Sequence, residues 1–279
     1  MRIALLALAF AAAPAAAQGQ IAIEGQAVQG GLVRGRVPAG TTSLSLGAQT
    51  VAVAPDGRFI IGLDRDQEAT ATLTARLSDG RTVAQPLTVA PRAWRIERVN
   101  ISQRPPAVPD EAYRLRRERE LARIRDARAQ RSDTIGWSQR FAWPSVGRIS
   151  GLFGSQRIFR GVPAAYHSGV DVAAGAGAPV TAPADGVVVL AGPPMFSLEG
   201  NLVIVDHGMG LNSAFLHLAS SDVTVGQRVR QGQRIGMIGA TGRATGPHLH
   251  WSLMWNGSRL DPQLAAGPMS GAAAGATPR

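Results

Sequence analysis

The chain has 279 residues, of which 45% are hydrophobic, and it contains no cysteine. This length is enough for two small domains, and the lack of cysteine excludes disulfides and a closed thiolate metal site. The net charge of +10 comes from 29 basic residues, all of them arginine. Residues 145–265 nevertheless hold eight arginines against six acidic residues, so the concentrated basic face of a nucleic-acid groove is missing. We therefore expect no nucleic-acid partner. The excess of arginine indicates either attraction to an anionic envelope surface or a general arginine bias of the sequence.

The first 17 residues have the layout of a secretory signal peptide. Arg2 gives a positive start, an apolar run covers residues 3–13, and Ala15-Ala16-Ala17 is an A-x-A cleavage site. The run is too short to span a bilayer, and no later segment is long and apolar enough to do so. We expect a signal peptide at 1–17, no integral membrane span after cleavage, and a periplasmic or secreted location. The alternative, an uncleaved anchor, lacks a positive stop-transfer flank.

Residues 18–100 predict a small accessory β-sandwich. Short segments with period-2 alternation or apolar runs, such as 32–37 and 71–75, recur along this part. Pro55-Asp56-Gly57 and Ser78-Asp79-Gly80 are turn-forming sequences between them. The segment contains no catalytic constellation, so its function is either positioning or partner docking.

Residues 101–136 predict a proline-rich linker followed by an arginine-rich helix. Pro105-Pro106 indicates extended chain, and Pro109-Asp110-Glu111 is typical of a helix start. The helix is expected to run to about Arg131, with a thin apolar stripe of Leu121, Ile124 and the aliphatic stem of Arg128. A solvated spacer fits this thin stripe, while a brake that folds over a catalytic cleft is the alternative.

All the histidines lie within 84 consecutive residues of the last third of the chain. Three patterns contain four of them: His167-Ser-Gly-Val-Asp171, Phe-Leu-His217-Leu after an apolar strand, and Gly-Pro-His248-Leu-His250-Trp. The fifth is His207. Such clustering indicates a site, most simply a metal centre.

Pleat geometry explains how these histidines could share a site. Side chains alternate in a strand, so His248 and His250 are expected on one face, and Leu249 and Trp251 on the other. His167 and Asp171 are four residues apart, which also places them on one face of an extended segment. Two histidines and one carboxylate suffice for a catalytic zinc with an open fourth position. Further histidines can accept the proton of the attacking water and stabilise an oxyanion.

These motifs resemble the M23 family of zinc metallopeptidases, the LytM or lysostaphin-like peptidoglycan endopeptidases. The resemblance runs from about residue 143 to 262 and includes the flanking segments 182–188, 203–208 and 232–236. It implies an antiparallel β-sheet groove domain at 137–265. It further implies that Zn²⁺ is bound by His167, Asp171 and His250, that His217 and His248 orient the water and the oxyanion, and that His207 lies in a β-turn.

The resemblance implies a zinc-dependent endopeptidase that hydrolyses peptide cross-links of peptidoglycan, with peptide stems as substrate. One alternative is a noncatalytic M23-like envelope protein that binds the wall or activates a separate hydrolase, and a second is a zinc peptidase that acts on proteins. An envelope protein is a further possible partner, as regulator. The Ala, Gly and Pro-rich residues 266–279 predict a flexible tail.

Overall fold

The computed structural model describes residues 19–102 and 110–269. The predicted signal peptide, the proline-rich start of the linker and most of the predicted tail lie outside these residues. In the described part the chain is mainly β, with mostly antiparallel sheets, which confirms the predicted fold class. No helix in this part is long and apolar enough to cross a membrane.

The elements follow one another in this order. The N-terminal strands are β1 (Ala22–Glu24), β2 (Leu32–Arg36), β3 (Thr41–Leu46), β4 (Gln49–Val51), β5 (Arg58–Gly62), β6 (Thr70–Leu77), β7 (Thr82–Thr88) and β8 (Ile96–Val99). Helix α1 (Glu111–Ala129) and a 3-10 helix (Gly136–Ser138) follow. The next strands are β9 (Arg148–Gly151), β10 (Gln156–Phe159), β11 (Val162–Pro163), β12 (Val170–Ala173), β13 (Pro179–Thr181), β14 (Gly186–Leu190), β15 (Asn201–Asp206) and β16 (Leu211–Ser221). They are followed by β17 (Arg228–Val229), β18 (Arg234–Ile238), β19 (Leu249–Trp255), β20 (Ser258–Leu260) and helix α2 (Pro262–Ala266).

Strands β1 to β7 form two antiparallel sheets, in the orders β1-β2-β5 and β4-β3-β6-β7. The predicted turns join β4 to β5 and β6 to β7, and their Gly57 and Gly80 have φ of 82° and 85°. Only a residue without Cβ adopts this conformation at little cost. In both turns the aspartate accepts a hydrogen bond at 3.0 Å from the backbone N–H two residues later. Both turn predictions are confirmed.

The N-terminal sheets pack against the C-terminal part of the chain. Phe59 and Trp255, one from each part, belong to a single buried cluster. At Gly62 an added Cβ would lie 2.9 Å from the Cβ of Trp255, so the backbones approach closely. Strand β8, within the predicted 18–100 unit, pairs in parallel with β10. The N-terminal part is therefore joined to the C-terminal part by the packing of its sheets and by the pairing of β8 with β10.

The C-terminal part is built on a ten-stranded sheet with the main order β17-β14-β15-β16-β19-β12-β9. Strand β19 alternates as predicted, since the four residues of its predicted core row are at most 1% exposed: Leu249, Trp251, Leu253 and Trp255. His250 and Ser252 lie on the opposite face, opposed by Leu216 and Ala214 of β16. We call this side of the sheet the histidine face.

Helix α1 packs on the histidine face. It begins at Glu111 after the N-cap Asp110, and it ends at Ala129, two residues before the predicted end. The predicted apolar stripe is wrong in part, because Leu121 is 48% exposed while Ala127 is buried. Ala127 shares a small buried cluster with side chains of β14, β15 and β16. The expectation of a solvated spacer is therefore wrong: the helix is docked on the sheet.

Candidate metal centre

Three side chains converge on the histidine face at one end of β12 and β19. Asp171 and His250 are directly opposed in the antiparallel register of these strands, which places both side chains on one face. His167 lies in the loop before β12, where its backbone N–H donates to the carbonyl oxygen of Ser155 at 2.9 Å. Together the three residues form a group that could hold a metal ion.

The candidate ligand atoms form a tight triangle. His167 Nε2 lies 3.0 Å from both Asp171 Oδ1 and His250 Nδ1, and His250 Nδ1 lies 2.8 Å from Asp171 Oδ1. Ligands about 2.0–2.1 Å from a tetrahedral ion lie roughly 3.3 Å from one another. The triangle is close to this spacing, so these three atoms could hold such an ion.

Hydrogen bonding fixes which nitrogen of His167 faces the triangle. Its Nδ1 donates to the carbonyl oxygen of Leu152 at 3.1 Å, because a carbonyl oxygen can only accept. The neutral ring therefore keeps its lone pair on Nε2, toward Asp171. When no metal is bound, burial favours a higher pKa for Asp171, but hydrogen bonds from the protonated rings of His167 and His250 outweigh burial and hold the carboxyl pKa well below its usual range. The carboxylate is thus ionised, as a metal ligand must be.

His217 and His248 form a second pair beside the triangle. Their ring centroids are 4.9 Å apart, and His248 Nε2 lies 3.9 Å from Asp171 Oδ1. His217 Nδ1 donates to the Thr241 carbonyl at 2.9 Å, and His248 Nδ1 donates to the Gly246 carbonyl at 2.8 Å. Each neutral ring therefore has its lone pair on Nε2, where it can accept a proton and later return it.

His217 occupies an irregular point of β16. We expected it to follow a strand, but it lies inside β16 with φ of 64°, a conformation that costs a non-glycine residue free energy. The pairing with β15 shifts register between Asn201 and Val203, near this point. The backbone N–H of His217 donates to the Glu199 carbonyl at 2.9 Å. Burial lowers the pKa of the His217 ring.

The other two histidine predictions have different outcomes. His248 lies directly before β19, which begins at Leu249, so only His250 comes from the strand itself, and both imidazoles line the same cavity. His207 is fully buried, and its Nδ1 donates to the Asp185 carbonyl at 2.8 Å. Its Nε2 lies 2.9 Å from the hydroxyl of Ser213. The prediction that His207 makes a backbone hydrogen bond is confirmed.

Both histidine groups open into one cavity of about 610 Å³. All five predicted site residues line it: His167, Asp171, His217, His248 and His250. Arg148 and Tyr166 line it on the β9 and β12 side, and Glu199 lines it on the β15 side. Arg243, in the loop before β19, also lines it. The cavity is therefore a groove across the strands that carry the histidines.

Sequence reasoning missed two parts of the site. The carbonyl partners of the histidine rings have no residue-type signal, because every residue has a backbone carbonyl. It also gave no sign that Arg117 of the helix contacts both Glu120 and the distant Glu199. The helix is mostly charged, so its sequence does not indicate that Glu120 is buried or that Arg117 has a partner outside the helix.

Comparison with known proteins identifies relatives of the histidine-bearing part. The sequence profile of Peptidase family M23 matches residues 165–262. Peptidoglycan DD-endopeptidase ShyA of Vibrio cholerae is 40% identical over 133 residues, which are 47% of this chain and 30% of the relative. DD-carboxypeptidase/endopeptidase Mpg of Neisseria meningitidis is 41% identical over 102 residues, which are 37% of this chain and 23% of the relative. The matched residues span less than a third of these curated relatives.

A solved structure from Pseudomonas aeruginosa, named as an M23 peptidase, is similar over nearly the whole chain. It is 30% identical, with a TM-score of 0.67, and the match covers 87% of this chain and 96% of that chain. A match of this extent includes N-terminal sheets as well as the large sheet. The chain belongs to peptidase family M23.

Proposed function

We propose that this protein is a zinc-dependent endopeptidase that hydrolyses peptide cross-links of bacterial peptidoglycan. The observation that carries the proposal is the ligand triangle beside the His217 and His248 pair in one groove. Two relatives are named as peptidoglycan DD-endopeptidase and DD-carboxypeptidase/endopeptidase, which supports the substrate class. Peptidoglycan lies outside the cytoplasm, so the proposed location is periplasmic or secreted.

The donor set favours zinc as the metal. Two imidazole nitrogens and one carboxylate oxygen suit catalytic zinc, whereas Mg²⁺ and Ca²⁺ prefer oxygen ligands alone. His167 Nε2, Asp171 Oδ1 and His250 Nδ1 would hold it. When bound, zinc supplies Lewis-acid activation of water and of the scissile carbonyl.

His217 and His248 would carry the proton. A neutral ring accepts the proton of the attacking water at Nε2, and the protonated ring then donates to the oxyanion or to the leaving amine. Burial lowers the pKa of His217, which keeps its ring neutral near neutral pH and ready to accept. The carbonyl oxygens of Thr241 and Gly246 hold the two rings in the required tautomer.

Charges along the groove match a peptide that bears carboxylates. Arg148 and Arg243 line the groove and are exposed, and within the described chain neither makes an ion pair. The carboxylate of Glu199 is paired with Arg117. Peptidoglycan stems carry free carboxylates, so we propose that Arg148 and Arg243 bind them.

The proposed organisation of the chain follows the sequence prediction. The signal peptide covers 1–17, the accessory sandwich 18–100, the linker and helix 101–136, the peptidase domain 137–265 and the tail 266–279. A regulator from the envelope is a possible partner of the accessory part. The noncatalytic alternative is less well supported, because the ligand positions and the histidine pair are all filled.

The test combines zinc content with muropeptide release from purified sacculi, with casein digested in parallel. One zinc per chain and release from sacculi, with casein intact, is the expected result. Bound zinc with no release would overturn the proposal in favour of the recruiting or activating role. Cleavage of casein at a comparable rate would instead indicate a protein peptidase.

A further inference from the structure

We propose that Arg117 of helix α1 is a positioning residue that keeps His217 in place through Glu199. This inference rests on the proposed function, since it concerns the same histidine. It gives helix α1 a role different from the two predicted from the sequence, a solvated spacer or a brake. In this role the helix supports the wall of the groove. The wall loop is defined here as residues 191–200, between β14 and β15.

The first contact is a two-point ion pair between the helix and the wall loop. Arg117 Nη1 and Nη2 donate to the two carboxylate oxygens of Glu199, each at 2.7 Å. The side chains of Arg117 and Glu199 are only 17% and 16% exposed. A fork-to-carboxylate geometry fixes orientation as well as distance. The pair therefore sets where Glu199 lies along the groove.

Two more helix residues, on the same face, hold the same loop. Buried Glu120 accepts hydrogen bonds from the backbone N–H and the hydroxyl of Ser197, at 2.9 and 2.7 Å. It also accepts from Arg117 at 2.9 Å. The guanidinium of Arg123 lies 4.6 Å from the ring centroid of Phe196. Residues 117, 120 and 123 follow at intervals of three, which places them along one side of a helix.

The wall loop in turn holds the backbone of His217, and the residue just after the loop supports the partner of its ring. The Glu199 carbonyl accepts a hydrogen bond from the backbone N–H of His217 at 2.9 Å. The N–H of Asn201, just after the loop, donates to the hydroxyl of Thr241 at 2.9 Å. The carbonyl of Thr241 accepts from the His217 ring. Backbone and ring of His217 are thus both tied to this loop and its neighbours.

The strained backbone of His217 makes this support matter. A non-glycine residue at φ of 64° persists only when its surroundings over-determine it. No residue of α1, all of which is described, lines the groove. The helix therefore supports the wall without covering the histidines, so the geometry favours support over a brake.

The test is Arg117→Ala, with Arg119→Ala as the matched control on the exposed side of the same helix. In zinc-loaded protein, Arg117→Ala should keep wild-type zinc content and KM while kcat falls roughly tenfold to a hundredfold. The control should match wild type. An unchanged kcat, or a change confined to KM, would overturn the proposal.

Amide hydrogen exchange of residues 195–200 and of His217 gives a second readout that needs no activity. Arg117→Ala should speed exchange there about tenfold, and Arg119→Ala should not. Equal exchange in both variants would overturn the proposal. If wild type released no muropeptides but the exchange difference were present, the proposed function would fail while the support held.

Arg117→Lys guards against a variant that does not fold. Lysine keeps the charge but cannot span both carboxylate oxygens of Glu199, so kcat and exchange should lie between those of wild type and Arg117→Ala. The proposal would be overturned if Arg117→Lys had a kcat as low as that of Arg117→Ala but the hydrogen exchange of wild type. The loss of kcat would then not depend on the position of the loop.

Discussion

Asp171 and His250 face each other across the pairing of β12 and β19, with Oδ1 2.8 Å from Nδ1. The next pair along, Val172 and Leu249, is fully buried on the other face. A slip of one residue would send a proposed ligand into the core and a core residue into the groove. Core packing on one face therefore fixes the positions of the proposed metal ligands on the other.

Gly151 of β9 tests how closely the carboxylate is held. A Cβ there would lie 2.2 Å from Asp171 Oδ2, so the carboxylate would have to move. We expect Gly151→Ala to weaken zinc binding about 10-fold to 100-fold, measured by competition with a chelator. Gly246→Ala also adds a methyl group at the groove but into open space, and it should bind zinc as wild type does. Equal affinities for the two variants would contradict the prediction.

His248→Ala separates proton transfer from metal binding. His248 lies outside the ligand triangle, and its loss should leave zinc content unchanged. Loss of one general acid or base lowers the rate about 10²-fold to 10⁴-fold, so muropeptide release from sacculi should fall by that factor. His250→Ala is the contrasting variant, since it should lose the metal. If His248→Ala lost its zinc, the prediction would be contradicted, and His248 would be a metal ligand.

The sequence predicted those features that local spacing along the chain or a recognisable motif determines. The alternation of β19, the Asp-Gly turns and the convergence of His167, Asp171 and His250 all follow from period-2 geometry or from motif resemblance. Each of these features is decided within a few residues of chain, or by strands whose burial pattern is itself visible in the sequence.

The sequence was a poor guide where long-range contacts decide. Helix α1 looks solvated because its residues are mostly charged, yet its charges include a set that pairs with the wall loop, 77 to 82 residues away. The left-handed backbone of His217 depends on a bulge between β15 and β16. No residue type near His217 indicates this bulge in the sequence. Tertiary hydrogen bonds overrode local pattern in both cases.

Buried His207 predicts a stability that depends on pH. Burial lowers its pKa to about 4, whereas an unfolded histidine has a pKa of about 6.5. Below pH ~6.5 the unfolded chain therefore binds a proton that the native chain excludes. The stabilisation from neutral His207 is complete above that pH and is lost as the pH falls toward 4.

The measurement is urea unfolding of metal-free protein at pH 7 and pH 5, for wild type and His207→Gln. Metal is removed so that proton competition at the ligands does not contribute. Wild type should lose about 2 kcal/mol more free energy of unfolding between these pH values than the variant does. The same loss in both proteins would show that His207 is not the group responsible.

Variants of Arg148 and Arg243 test the proposed preference of the groove for carboxylates. Loss of one charge-assisted hydrogen bond costs about 1.5 kcal/mol, so Arg148→Gln and Arg243→Gln should each raise KM for stem peptides with free carboxylates about tenfold. Peptides with amidated carboxylates should show little difference between wild type and variants, because they offer no charge to lose. Arg157→Gln is the control, since Arg157 is exposed, pairs with Glu97 and lies outside the groove. Equal effects on free and amidated peptides would mean that the arginines act on the fold of the groove, and the carboxylate preference would have to come from elsewhere.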